Sequence, residues 1–253
     1  MPNPSHLNLP AVDNCLSDKV VAVTGAGDGI GKVAAKTFAA YGATVILMGR
    51  TTAKLEMVYD EIEQAGHPQA AIFPINFEGA VEKDYNDMAD TIDQEFGRLD
   101  GILHNAALLG PQSPLSNYAI DTWMSLMQVN VNAAFMMTKA LMPLLENAPS
   151  ASVVFTGSSV GLKGRAYWGA YAVSKAAVEN MMQIFADECE GINQVRFNSL
   201  NPGATRTNMR AAAYPAENPG GLKTPADIMA PYLYLMGDDS QGISGRQFDA
   251  QPK

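Results

Sequence analysis

Tyr171 and Lys175 stand four positions apart in "GAYAVSKAAVENMM", a stretch otherwise dominated by small and apolar residues. Side chains at i and i+4 are neighbours on a helix, so one turn would bring a phenol and an ammonium onto the same face. The chemistry this permits is proton transfer. An unperturbed tyrosine titrates near pH 10, so phenol chemistry near neutrality needs a shift of roughly 2 to 3 units. A nearby ammonium favours the phenolate, and Lys175 is expected to supply that shift. Taken alone, the pair reads more readily as the wet side of an amphipathic helix than as chemistry. Two further polar groups bear on the choice. Ser158 and Ser159 follow the apolar run "SVVFTG", a buried strand by its pattern, which would set their hydroxyls at the carboxyl edge of a sheet. Asn130 falls on the stripe made by Trp123, Met127, Ala134, Leu141 and Leu145. Its amide is therefore turned toward the core, where a missing hydrogen-bond partner would cost on the order of 1 to 3 kcal/mol.

The elements that must position these groups begin with "KVVAVTGAGDGIGKVAAKTFAAYGATVILMGR". Val20 to Val23 form a short apolar run, and Ile30, Val33, Ala34, Phe38 and Tyr41 recur at helical spacing until Gly42 offers a stop. Thr44 to Met48 resume as a second strand. The pattern is a βαβ unit with Gly25, Gly27, Gly29 and Gly31 in its first turn. Glycines there let the backbone approach a pyrophosphate and leave helix N–H groups pointing at it. The second strand ends Met48-Gly49-Arg50-Thr51, with no acid for a ribose 2′-hydroxyl and an arginine ready for a 2′-phosphate. NADP(H) is favoured, with NAD(H) left open.

Several ordered motifs carry a family resemblance. "TGAGDGIG" fits TGxxxGxG through Thr24, Gly25, Gly29 and Gly31; "HNAA" spans 104 to 107; Asn130 sits in "QVNVNAAF"; "TGSSVG" precedes Tyr171-x-x-x-Lys175; and "NPGATRT" closes the series. From about Lys19 to Gly245 the chain resembles the short-chain dehydrogenase/reductase family, and "GATVILMGR", "VNVNAAFMM" and "FDAQP" look especially like its YciK group of bacterial oxidoreductases.

The resemblance implies a catalytic set of Asn130, Ser158, Tyr171 and Lys175. In that set Ser158 holds a carbonyl oxygen, Tyr171 protonates it as hydride arrives, Lys175 also holds the nicotinamide ribose, and Asn130 holds a water leading to the lysine. Ser158 lies thirteen residues before Tyr171 and three before Gly161, the family's register, with Ser159 its rival. Implied cofactor contacts are Thr24, Gly25, Gly27, Asp28, Gly29, Ile30 and Gly31 in the first turn and Arg50 after the second strand. Asn76 and Phe77 follow the third strand, and Asn105 and Ala106 the fourth. Tyr171, Lys175, Pro202, Gly203, Thr205 and Thr207 complete the set. Three positions depart from the pattern. Asp28 stands where many NADP-dependent relatives carry a basic residue, Asn76 replaces an aspartate, and Ala107 replaces a glycine. The loop from Arg206 to Thr224 resembles the substrate lid. Helices expected over 121 to 146 and 170 to 190 form a dimer interface in the family, which implies a homodimer or homotetramer.

The whole chain is consistent with one domain. Its 253 residues, 47% hydrophobic and 17% charged, can bury a large core. The expected fold is α/β: a single Rossmann-type domain over 19–253, a doubly wound parallel sheet with helices on both faces, preceded by an irregular arm at 1–18. No secretory signal or membrane-length apolar run is visible, so the protein is expected in the cytoplasm. Net charge −9 argues against nucleic acid or anionic membrane as partner. His6, His67, His104, Cys15 and Cys189 show no metal-ligand spacing, so no metal is expected. The partner is a small carbonyl or alcohol substrate. Lys163, Arg165, Arg206, Arg210 and Lys223 gather five of the 17 basic residues around its expected mouth. Either they draw in an anion, or they are solvated loop charges with Arg206 paired to the cofactor or to an acid such as Glu217. A cofactor-sensing protein without turnover is the alternative function on the same fold.

Overall fold

Strand β1 (Val20–Thr24) passes into helix α1 (Gly29–Ala40) through a turn in which Gly25 and Gly29 take φ of 68° and 53°. Glycine enters this left-handed region without the penalty a Cβ would bring. Strand β2 (Thr44–Gly49) then lies parallel to β1, with Ala22 opposite Ile46. The remaining elements, in a computed structural model that describes residues 13–252, repeat this unit. They are α2 (Thr52–Gln64), β3 (Ala71–Pro74), α3 (Glu82–Phe96), β4 (Gly101–His104), α4 (Ile120–Met127), α5 (Ala133–Glu146) and β5 (Ala151–Thr156). After these come α6 (Ser159–Leu162), α7 (Gly169–Cys189), β6 (Val195–Asn201), α8 (Asn208–Ala213), α9 (Met229–Met236) and β7 (Arg246–Asp249).

The sheet order is β3-β2-β1-β4-β5-β6-β7 with every pairing parallel. Strands covered on both sides read as continuous apolar runs, and β5 is buried at all six positions. Alternation sorts their side chains. Ala22, Ile46, Ile102 and Val153 face the core shared with α3, α5 and α7, while Val21, Val45, Leu103 and Val154 face that shared with α1, α2 and α9. The chain reverses its direction of growth between β1 and β4. At such a switch point, open α/β sheets leave a crevice beyond the carboxyl ends of the strands.

One expectation needs amendment. The helix expected over 121 to 146 is interrupted by a π-helical stretch, Gln128–Asn132, between α4 and α5. Most of the predicted arm, residues 1–12, lies outside the described residues. The rest of it forms turns, yet Leu16 is fully buried and its N–H donates to the Tyr41 carbonyl at 3.0 Å. Leu16 thereby joins the core shared with α1, α2 and α9. No described helix is long and apolar enough to cross a membrane.

Candidate active site

A cleft of about 490 Å³ opens at the switch point, within the range of cofactor and small-molecule sites. The carboxyl ends of β1, β4, β5 and β6 floor it through Gly25, Asn105, Ser158 and Pro202. Most residues expected to bind a cofactor line it, from Gly27 and Gly29 in the first turn to Arg50, Asn76 and Phe77, and across to Gly203, Thr205 and Thr207. The glycine turn fits close backbone approach. A Cβ at Gly27 would stand 2.9 Å from Lys54 Cβ, and one at Gly31 would run into the Gly25 carbonyl.

Thr24, Gly31 and Asn130 do not line the cleft; each is buried behind its wall. Thr24 is buried; its hydroxyl donates to the Leu103 carbonyl and accepts from the Asn105 and Ala106 N–H groups at 2.9 and 3.0 Å. It stitches β1 to the "HNAA" turn. Gly31 is buried against Gly25 as a packing position. Asn130 is buried in the π-helical stretch. Its Oδ1 accepts from the Leu108 N–H at 2.7 Å, and its Nδ2 donates to the Leu108 carbonyl at 2.9 Å and to Ser174 Oγ at 3.0 Å. The partner that burial demanded is thus the backbone of Leu108, which lines the cleft. Asn130 holds that wall in place.

Ser158, Tyr171 and Lys175 come together at the centre. Gly161 allows it: a Cβ there would stand 2.8 Å from Lys175 backbone and side-chain atoms, so α6 can lie directly on α7. Ser158 and Tyr171 both line the cleft, and the Ser158 side chain is near enough to act on the Tyr171 phenol, whereas Ser159 is exposed in the first turn of α6. Lys175 is 4% exposed; its Nζ donates to the Thr156 carbonyl at 2.7 Å and stands 5.6 Å from the centre of the Tyr171 ring.

The electrostatics run against the expected direction for the phenol. Burial pushes Tyr171 up to about 12, and the polar influence of the Ser158 side chain only partly opposes this. The same cause pushes Lys175 down to about 8, opposed by the charge of Glu179 one turn on. Desolvation disfavours both charged forms and outweighs the attraction between them. His104, stacked 4.8 Å from Phe155 and hydrogen-bonded to Thr138, is pushed by burial to about 3 and stays neutral.

Sequence reasoning missed three contributors. Lys54, in the first turn of α2, lines the cleft near Arg50, and its Nζ pairs with Asp28 Oδ2 at 2.7 Å. Asp28 also caps α1 by accepting from the Gly29 N–H at 2.7 Å. A basic side chain from α2 thus stands beside the acid in the glycine turn, and helical spacing after Arg50 was the available signal. Gln251 Nε2 donates to the Pro202 and Ala204 carbonyls at 2.8 and 3.1 Å and fixes the "NPGAT" turn. Trp168 lines the cleft beside Tyr171, with ring centres 5.8 Å apart. No local pattern marked it.

The lid segment is closed at its base by a parallel bridge between Thr205 and Lys223, with the Arg206 N–H donating to the Lys223 carbonyl at 2.8 Å. Of its basic residues, Arg210 alone lines the cleft among the described residues, and Arg210 rather than Arg206 is the partner of Glu217. No group of three or more potential metal ligands occurs among the described residues.

The short chain dehydrogenase family model matches residues 19–218. The chain belongs to the short-chain dehydrogenase/reductase family. This short-chain dehydrogenase is 52% identical over 237 residues to the oxidoreductase YciK of Escherichia coli (strain K12), covering 94% of this chain and 93% of the relative. A short chain dehydrogenase structure from Pseudomonas syringae is 54% identical with a TM-score of 0.95, covering 96% and 99% of the two chains. Another, from Escherichia coli CFT073 and complexed with NADPH, is 51% identical with a TM-score of 0.93, covering 96% and 100%. The expected fold and the resemblance to the YciK group are borne out.

Proposed function

We propose that this oxidoreductase reduces a small carbonyl compound to an alcohol with NADPH, or runs the reverse reaction, with Tyr171 as the acid/base. The observation that carries this reading is the meeting of Ser158, Tyr171 and Lys175 in the cleft, with Lys175 Nζ 5.6 Å from the centre of the Tyr171 ring. When bound, the cofactor supplies the hydride. Ser158 holds the carbonyl oxygen, and the Tyr171 hydroxyl gives it a proton as negative charge develops there. Because burial keeps the phenol protonated, the resting site is set as an acid, the state that reduction needs. Lys175 anchors on Thr156 beneath the ring and offsets negative charge left on the phenolate.

The glycine turn would hold the pyrophosphate, and Arg50 with Lys54 would meet a 2′-phosphate; the NADPH-bound relative supports that choice. Exposed Met124 and Phe135 on α4 and α5, and Val173 and Ile184 on α7, fit a homo-oligomer through those helices, and the site of action we infer is the cytoplasm. The test is oxidation of NADPH, followed by absorbance, against ketones, diketones, quinones and acyl thioesters. Turnover that disappears in Tyr171→Phe supports the reading. Tight NADPH binding with no turnover on any class would replace it with cofactor sensing.

A further inference from the structure

The inner end of the cleft bears on the substrate class, an inference that rests on the reductase reading. We propose that it takes an uncharged carbonyl compound with an apolar, ring-bearing body, in preference to a keto acid or another anion. Trp168 lines the cleft immediately before α7. Its ring centre lies 5.8 Å from that of Tyr171 and 5.8 Å from that of Tyr214. Leu108, Leu109, Met209 and Ala213 continue the wall. A carbonyl placed on the Tyr171 hydroxyl therefore sets its substituent against an indole and aliphatic side chains, a surface that favours flat apolar groups.

The charge balance points the same way. Arg210 carries the lid's positive charge into the cleft, but its Nε and Nη2 donate to the two Glu217 carboxylate oxygens at 2.6 and 2.6 Å. Its guanidinium also lies 3.8 Å from the centre of the Tyr214 ring. The donor fork that could grip a substrate carboxylate is already filled by one, and the hydrogen bonds and charge of Arg210 hold the Glu217 carboxyl below its ordinary value. Lys175 is engaged by Thr156, while Lys163, Arg165, Arg206 and Lys223 are exposed outside the cleft. An incoming anion would have to displace Glu217.

The test uses methyl benzoylformate, benzoylformate and methyl pyruvate, the first two differing by the ester methyl that removes the charge and the first and third by a phenyl in place of a methyl. Wild-type kcat/KM should favour methyl benzoylformate over each of the others by about tenfold or more. Glu217→Gln should raise the benzoylformate to methyl benzoylformate ratio about fivefold or more by freeing the guanidinium, and Trp168→Ala should erase the preference over methyl pyruvate. Calorimetric binding to the NADP+-saturated protein is read alongside. Wild-type preference for benzoylformate or methyl pyruvate overturns the proposal without any variant, as does an unchanged charge ratio in a folded Glu217→Gln. If nothing is reduced yet methyl benzoylformate binds more tightly than the other two, the substrate class stands and the reductase reading falls. If it does not, the substrate class falls as well.

Discussion

Lys175 and Arg50 line the same cleft, and the fold treats their charges in opposite ways. Helix α7 buries Lys175 to 4% exposure and ties its Nζ to one carbonyl, so that burial drives the ammonium down to about 8. Arg50 projects from the end of β2 into solvent, and among the described residues it makes no hydrogen bond or ion pair. A buried charge can be tuned by its surroundings but costs stability; an exposed one is available to a ligand. The β5–α7 side of the cleft thus suits proton transfer, and the β2–α2 side suits recognition of an anion.

The comparison breaks most directly at the proton donor. Tyr171→Phe should lower kcat about a hundredfold or more while NADPH affinity stays nearly constant, because the hydroxyl is lost and the cofactor cradle is not. Steady-state kinetics beside a cofactor titration checks both halves. Near-normal turnover would remove the acid/base assignment from the β5–α7 side.

The cost of burying Lys175 gives the next effect. Its pKa falls from 10.5 to about 8 on folding, so the folded state binds this proton less well than the unfolded state. The penalty is complete below about pH 8 and fades as pH rises through 10.5, above which the group is neutral in both states. Lys175→Met should therefore stabilise the protein by about 1 to 2 kcal/mol at neutral pH, after allowing for the hydrogen bond lost at Thr156. That advantage should shrink above pH 8. Urea unfolding of both proteins across this range reads the difference. A variant less stable than wild type at every pH would mean that Glu179 and Thr156 already compensate the buried charge.

On the opposite side of the cleft, Arg50→Ala should weaken NADPH binding by about 1 to 3 kcal/mol and leave NADH nearly untouched, since only NADPH offers a 2′-phosphate. Equal losses would show that Arg50 serves some part the two cofactors share.

Legibility in the sequence followed the same division between local pattern and tertiary context. The βαβ unit, the glycine turn and the Tyr171–Lys175 pair are set by spacing over a few residues, and each could be read directly. The direction of the Tyr171 shift could not. A four-residue interval puts an ammonium nearby but does not say how much water the fold removes from both groups, and here removal of water dominates. Asn130 divides similarly: its burial followed from periodicity, but its partner, the Leu108 backbone, is 22 residues away. The Arg210–Glu217 pair is close in sequence, yet which of five basic residues would reach the cleft depended on how the lid closes between Thr205 and Lys223.

Asp28 offers the smallest and most discriminating change. Its carboxylate caps α1, holds Lys54 at 2.7 Å and accepts from Asn208 Nδ2 at 3.3 Å, so a negative group sits in the glycine turn beside the cations assigned to the phosphate. Both partners of the Lys54 pair are about half exposed, and such pairs are worth on the order of 0 to 1 kcal/mol, so breaking this one should hardly move stability. Asp28→Ser keeps a side-chain oxygen suited to the N-cap while removing the charge. Lys54 is then free to turn toward the 2′-phosphate. NADPH should bind about two- to fivefold more tightly, with a smaller gain for NADH, which shares the pyrophosphate but lacks the extra phosphate. Fluorescence titration of both cofactors at low and high salt measures this, and adding Lys54→Met should remove the NADPH-specific part of the gain. If the double variant kept all of it, Asp28 would act on the pyrophosphate alone and Arg50 would recognise the 2′-phosphate without Lys54.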